Sequence, residues 1–156
     1  MRATRGPVRE LGAPRRPAVI GYTAGVFDLF HVGHLNLFQH AKERCDFLIV
    51  GVTTDELAEA QKGSRPVVPL IERMAIVQHL RTVDDVVPQS TTDKLAAWEV
   101  FKFDVLFVGD NLRGSPGWER VEQDMAGVGV DVVYLPATHI RSGELLSRGL
   151  PDLISE

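Results

Sequence analysis

The segment Ala24-Gly25-Val26-Phe27-Asp28-Leu29-Phe30-His31-Val32-Gly33-His34 concentrates the residues of this chain best suited to chemistry. Two imidazoles stand three positions apart around Gly33, where a helical pattern begins. That spacing puts both rings on one face, a turn apart, so both can donate hydrogen bonds to one anionic centre. A helix N-terminus adds unpaired backbone N–H groups and the positive end of the macrodipole, which suit a phosphate. Gly25 and Gly33 permit close approach of the backbone to a ligand. By residue type alone the pair could equally cap the helix, pack, or bind a metal. The strand before it and the Gly-x-Phe-Asp lead-in favour phosphate.

Positioning such a loop requires a strand before it and a helix after it, and the pattern supplies both. Ala18-Val-Ile-Gly-Tyr-Thr23 reads as a first strand, and Gly33 to Arg44 as a helix with Leu35, Phe38 and Ala41 on one face. Phe47-Leu-Ile-Val-Gly-Val-Thr53 is a near-continuous apolar run, as expected of a parallel strand covered on both faces. Asp55 to Pro69 reads as a polar stretch, followed by a helix from Pro69 with Ile71, Met74, Val77 and Leu80 inward. Short strands at Asp85–Val87, Val105–Val108 and Asp131–Leu135 alternate with helices at Asp93–Phe101 and around Trp118, Val121 and Met125, and a terminal helix starts near Ser142. The alternation predicts an α/β fold: one Rossmann-like, doubly wound parallel sheet with helices on both faces. In such sheets ligands bind beyond the carboxyl ends of the strands, at the loops after Thr23, Thr53, Val108 and Leu135.

Composition excludes several classes. With 156 residues, 44% apolar and 24% charged, the chain is of ordinary globular type and long enough for one domain. Its net charge of −4 hides an asymmetry, since residues 1–17 carry five arginines against Glu10 and the remainder is therefore −8. So acidic a body is a poor partner for DNA or RNA. Residues 1–17, rich in Arg, Pro and Gly without apolar period, read as a disordered, solvated extension or a misassigned start. The expected organisation is that tail, a catalytic domain over 18–150, and a C-terminal tail over 151–156. No apolar run approaches the roughly 20 residues that span a bilayer, so no membrane insertion is expected. The lone Cys45 cannot form an intrachain disulfide, and a reducing cytoplasm is the default location.

Gly25-Val-Phe-Asp-Leu-Phe-His31-Val-Gly33-His34 resembles the signature loop (HxGH) of the cytidylyltransferase-type nucleotidyltransferases. That superfamily includes adenylyltransferases and is related to class I aminoacyl-tRNA synthetases. Further similarities follow in order: Thr53-Thr-Asp-Glu56, Lys62-Gly-Ser-Arg65-Pro-Val leading to Glu72-Arg73-Met74, Gly109-Asp110-Asn111, and Thr138-His-Ile140-Arg-Ser142. Within the superfamily the chain most resembles glycerol-3-phosphate cytidylyltransferases. The resemblance implies transfer of CMP from CTP to a small phosphate monoester, with Mg²⁺ carried on the triphosphate and pyrophosphate released, in an enzyme that is often a homodimer. It implies His31, His34, Lys62 and Arg73 as catalytic residues, the last two stabilising charge. It implies Gly25, Val26, Phe27, Asp28, Gly33, Asp110, Thr138, Ile140, Arg141 and Ser142 as nucleotide-binding. Asp28 either orients the loop or assists the magnesium ion.

The last loop departs from the family pattern, Arg-Thr-x-Gly-Ile-Ser-Thr. Ala137 stands at the arginine position and one residue is missing, with Arg141 as the replacement cation. The stretch from Lys62 to Met74 also resembles sugar-phosphate adenylyltransferases, so an ATP-dependent enzyme acting on a sugar phosphate or cofactor precursor is the first alternative. A non-catalytic nucleotide-binding homologue is the second. A dinucleotide-dependent oxidoreductase fits poorly, because the first loop lacks G-x-G-x-x-G.

Overall fold

Five strands form one parallel sheet in the order β3-β2-β1-β4-β5 within residues 17–136, which the computed structural model describes. The strands are β1 (Ile20–Gly25), β2 (Phe47–Thr53), β3 (Asp85–Gln89), β4 (Val105–Gly109) and β5 (Asp131–Leu135). The helices are α1 (Val32–Lys42), α2 (Asp55–Lys62), α3 (Leu70–Gln78), α4 (Lys94–Phe101) and α5 (Trp118–Gly127), with a short 3₁₀ turn at Asp110–Leu112. This is the expected Rossmann-like α/β sheet. Most of the N-terminal extension, the C-terminal tail, the helix expected from Ser142, and Thr138, Ile140, Arg141 and Ser142 lie outside the described residues.

Alternation along β2 builds both faces. Leu48, Val50 and Val52 pack on one side with Phe38 and Ala41 of α1 and Val77 of α3. Ile49 points to the other side, with Tyr22, Phe103, Leu106, Val108 and Met125 of α5. The strand order reverses direction between β1 and β4, and the carboxyl ends of those strands open the crevice where ligands bind in such sheets. Aspartates placed just before the strands hold their opposite ends in register. Asp46, Asp104 and Asp84 accept backbone N–H groups of Val19, Ile20 and Leu48 at 2.7, 2.9 and 2.8 Å. No helix of the described residues is long and apolar enough to cross a membrane.

Two expectations need correcting. The polar stretch from Asp55 contains a helix, α2, capped by Thr54 Oγ1 accepting from Leu57 N and ended by Gly63 at φ 88°. It is the most polar of the helices and buries only Ala58, so its composition reads as loop. The buried stripe of α3 is also shifted. Ile71 is 79% exposed, while Arg73 and Val77 are buried. A charged residue holds a core position there because the backbone supplies its partners.

Candidate active site

A cleft of about 960 Å³ opens at the carboxyl ends of the strands and takes its walls from the loops after β1, β2 and β4, named in advance, and from the end of β3. That is room for a drug-sized ligand and more. Gly25, Val26, Phe27, Asp28, His31 and His34 from the loop after β1 line it, with Lys62 and Arg65 from the end of α2 and the loop beyond.

The loop's shape follows from two residues in left-handed backbone, Phe27 (φ 54°) and Leu29 (φ 49°). Such strain costs of order 1 kcal/mol per residue and persists only where the surroundings hold it. Here Phe27 folds inward against Phe38, ring centroids 5.0 Å apart, and passes so close to Gly25 that a Cβ there would sit 2.9 Å from the ring. Asp28 pins the other side. Its carboxylate accepts the N–H groups of Leu29, Val67 and Val68 at 3.1, 2.7 and 2.9 Å, tying the first loop to the segment before α3. The carboxylate therefore has an orienting role built into the fold.

The histidines form a reciprocal cap at the start of α1. His31 Nδ1 accepts from Gly33 N at 3.1 Å, and His34 Nδ1 accepts from His31 N at 3.3 Å. A ring nitrogen that accepts carries no proton, so each neutral imidazole keeps its hydrogen on Nε2. The rings stack with centroids 4.0 Å apart. Burial lowers the pKa of His31, and burial plus the neighbouring His31 pushes His34 down to about 4. At neutral pH the cleft is thus lined by two uncharged rings, each with one Nε2–H donor not used by the cap. The N–H of Gly33 is already used by His31 and Gly33 does not line the cleft.

This geometry has a measurable consequence. The unfolded chain protonates His34 near its ordinary value of 6.5, the folded chain only near 4, so stability falls as pH drops through that interval and levels off below it. At 1.36 kcal/mol per pH unit the full effect is about 3 kcal/mol, and water reaching the half-buried ring cuts it to about 1–2 kcal/mol. Urea unfolding midpoints between pH 7 and 4 should therefore drop less in His34→Asn than in the unsubstituted chain.

Arg73 is not brought to the cleft. It is 1% exposed; its Nε donates to Val68 O at 2.7 Å, Nη1 to Val26 O and Thr53 O at 2.7 and 2.8 Å, and Nη2 to Asp55 at 2.6 Å. A guanidinium so engaged joins the loops after β1 and β2 to the start of α3. The expectation that it stabilises substrate charge directly gives way to a positioning role. Asp110 is exposed at the start of the 3₁₀ turn and does not line the cleft, whereas its neighbours Asn111 and Leu112 do. Arg65 faces Glu59 and Glu56 at 3.2 and 3.4 Å on the cleft rim.

Several cleft residues escaped sequence reasoning: Gln89, Thr92 and Lys94 at the end of β3 and start of α4, and Trp118 on α5, which packs against the core and also lines the cleft. Lys94 has its pKa lowered by burial, offset in part by Asp93, and makes no hydrogen bond or ion pair with the described residues. A desolvated ammonium in a cleft suits an anion, and no motif spacing announced it.

Residues 22–146 match the cytidylyltransferase-like family. This chain belongs to it. Among curated relatives it is 32% identical over 117 residues to glycerol-3-phosphate cytidylyltransferase of Bacillus spizizenii, covering 74% of this chain and 84% of that protein. It is 34% identical over 126 residues to FAD synthase of Pyrococcus abyssi, covering 80% and 83% respectively. It is 38% identical over 137 residues to the bifunctional protein HldE of Granulibacter bethesdensis, covering 82% of this chain but 26% of that protein. This cytidylyltransferase-like chain thus matches about a quarter of the length of its bifunctional relative and most of the length of the two smaller ones.

Proposed function

We propose that this chain transfers CMP from CTP to a small phosphate monoester, glycerol 3-phosphate being the favoured acceptor, and releases pyrophosphate. The observation that carries this is the pair of neutral Nε2–H donors, His31 and His34, in one cleft with Lys62 and Lys94. A phosphate monoester is anionic at neutral pH and needs no general base. Its oxygen attacks the α-phosphorus of CTP, and the bond from that phosphorus to the bridging oxygen breaks, its electron pair leaving with pyrophosphate. The chain's task is to gather anions and neutralise charge growing on the α- and β-phosphates. Donors that are uncharged before reaction are not attracted to the wrong carboxylates and strengthen as negative charge develops. Lys62 suits the triphosphate, and Lys94, at the start of α4 beyond β3, suits the acceptor's phosphate.

Mg²⁺ would neutralise the leaving pyrophosphate. No group of three His, Cys, Asp or Glu among the described residues forms a cage for it, and Asp28 already receives three backbone N–H groups. That donor set fits an ion held by phosphate oxygens and carried in with the triphosphate.

CTP and glycerol 3-phosphate are favoured by the relative of similar length that bears that name. The likeness to an FAD synthase, whose product contains an adenylate, supports the second reading: ATP as donor to a sugar phosphate or cofactor precursor. Pyrophosphate release should be measured with CTP and ATP in parallel, with Mg²⁺, against glycerol 3-phosphate, phosphoethanolamine, a sugar 1-phosphate and FMN. The expected result is turnover with CTP and glycerol 3-phosphate. Turnover with ATP alone transfers the proposal to the second reading, and nucleotide binding without turnover on the whole panel makes the chain a non-catalytic homologue.

A further inference from the structure

One side chain crosses the sheet to reach the cleft wall. Tyr22, on β1, extends over β2 at Gly51 and donates its hydroxyl to Gln89 Oε1, on β3, at 2.8 Å. Only a glycine lets it pass, because a Cβ at position 51 would lie 2.3 Å from the Tyr22 hydroxyl. The phenol ring is 1% exposed and stacked on Phe103 at 4.9 Å between centroids. Gln89 is 8% exposed and lines the cleft.

The orientation of that amide follows from hydrogen-bond arithmetic. The phenol hydrogen is buried among apolar rings and Gln89 Oε1 is its partner. Turning the amide over would set its NH₂ against the hydroxyl and leave the phenol hydrogen unpaired, a desolvation penalty the observed arrangement avoids. Burial pushes the phenol pKa up to about 12, so it remains a donor throughout the working range. With Oε1 committed, Nε2 makes no hydrogen bond to the described residues. Its two hydrogens are what Gln89 can offer a ligand.

Topology says which ligand. The histidine loop follows β1, between β3 on one side and β4 on the other. The β4 side supplies Asn111, Leu112 and Trp118, an aromatic wall suited to a base, while the β3 side supplies Gln89 and Lys94, which suit a small oxygen-rich anion. Resting on the proposed transfer to a phosphate monoester, we infer that Gln89, locked by Tyr22, donates to a hydroxyl oxygen on the acceptor's non-reacting end and so selects hydroxyl-bearing over ammonium-bearing phosphate monoesters. An ammonium group has only hydrogens to present and would meet the amide hydrogens of Gln89 head on. Gln89 is thus a specificity-determining residue and Tyr22 a positioning residue.

The test compares the unsubstituted chain with Gln89→Leu, Gln89→Glu and Tyr22→Phe. KM and kcat are measured for glycerol 3-phosphate, phosphoethanolamine and the nucleotide, with melting temperature as a fold control. Gln89→Leu should raise KM for glycerol 3-phosphate about 10-fold, one hydrogen bond's worth, with nucleotide KM within about 2-fold. Gln89→Glu should raise it similarly and lower KM for phosphoethanolamine, reversing the preference. Tyr22→Phe frees the amide to turn and should raise acceptor KM about 3-fold at unchanged kcat. Should Tyr22→Phe lose its fold, the two Gln89 variants, on the cleft side of the contact, decide alone. An acceptor KM unmoved in both Gln89 variants, or a nucleotide KM that moves as much, overturns the inference while the transferase reading stands. An unsubstituted chain that transfers to no phosphate monoester overturns both.

Discussion

His34→Ala should lower turnover by about 10²–10³-fold, the usual cost of deleting one donor aimed at developing phosphate charge. Its melting temperature should stay within a few degrees, because the substitution removes one cap hydrogen bond at a half-buried site, worth about 1 kcal/mol. Two further variants separate the ring's two nitrogens. Asparagine can accept the His31 N–H as Nδ1 does but reaches no further, so His34→Asn should be as inactive as the alanine variant. Glutamine places an amide N–H nearer the position of Nε2, so His34→Gln should recover part of the lost rate. Normal turnover in His34→Asn would assign the ring to capping α1 and remove it from the chemistry.

Arg73→Met should be the most destabilising single change considered. It keeps much of the side-chain volume but leaves the carbonyls of Val68, Val26 and Thr53 and the carboxylate of Asp55 without their donor. Removing one partner of such a buried network costs about 3–5 kcal/mol, a fall in melting temperature on the order of 10 °C. Arg73→Lys should be nearly as damaging, since one ammonium cannot span partners arranged around a planar fork. Thermal unfolding decides: a lysine variant that melts normally yet loses turnover would return Arg73 to direct charge stabilisation.

These two residues show where sequence reasoning succeeds and where it stops. The placement of the histidines was legible because it is local; a three-residue spacing at a helix start both caps the helix and stacks the two rings. The parallel sheet was legible for a similar reason, since β2 is apolar on successive positions when both its faces are covered. Helix α2 was missed because it buries only Ala58, although Thr54 and Gly63 mark its ends. Arg73 shares its motif with residues at the cleft, and nothing in the spacing tells an arginine facing substrate from one facing backbone carbonyls. Gln89 and Lys94 carry no motif at all.

By itself, then, the order of residues determined the strand–helix alternation, the crevice loops and the two rings at the first of them, because periodicity and local capping depend on neighbours a few positions apart. The protonated nitrogen of each ring, the inward path of Arg73, and the reach of Tyr22 over Gly51 to Gln89 were decided only when three strands distant in sequence came side by side. Hydrogen-bond partners set those features, and partners are a property of packing. A chain read in one dimension carries the donors and acceptors but not the pairs.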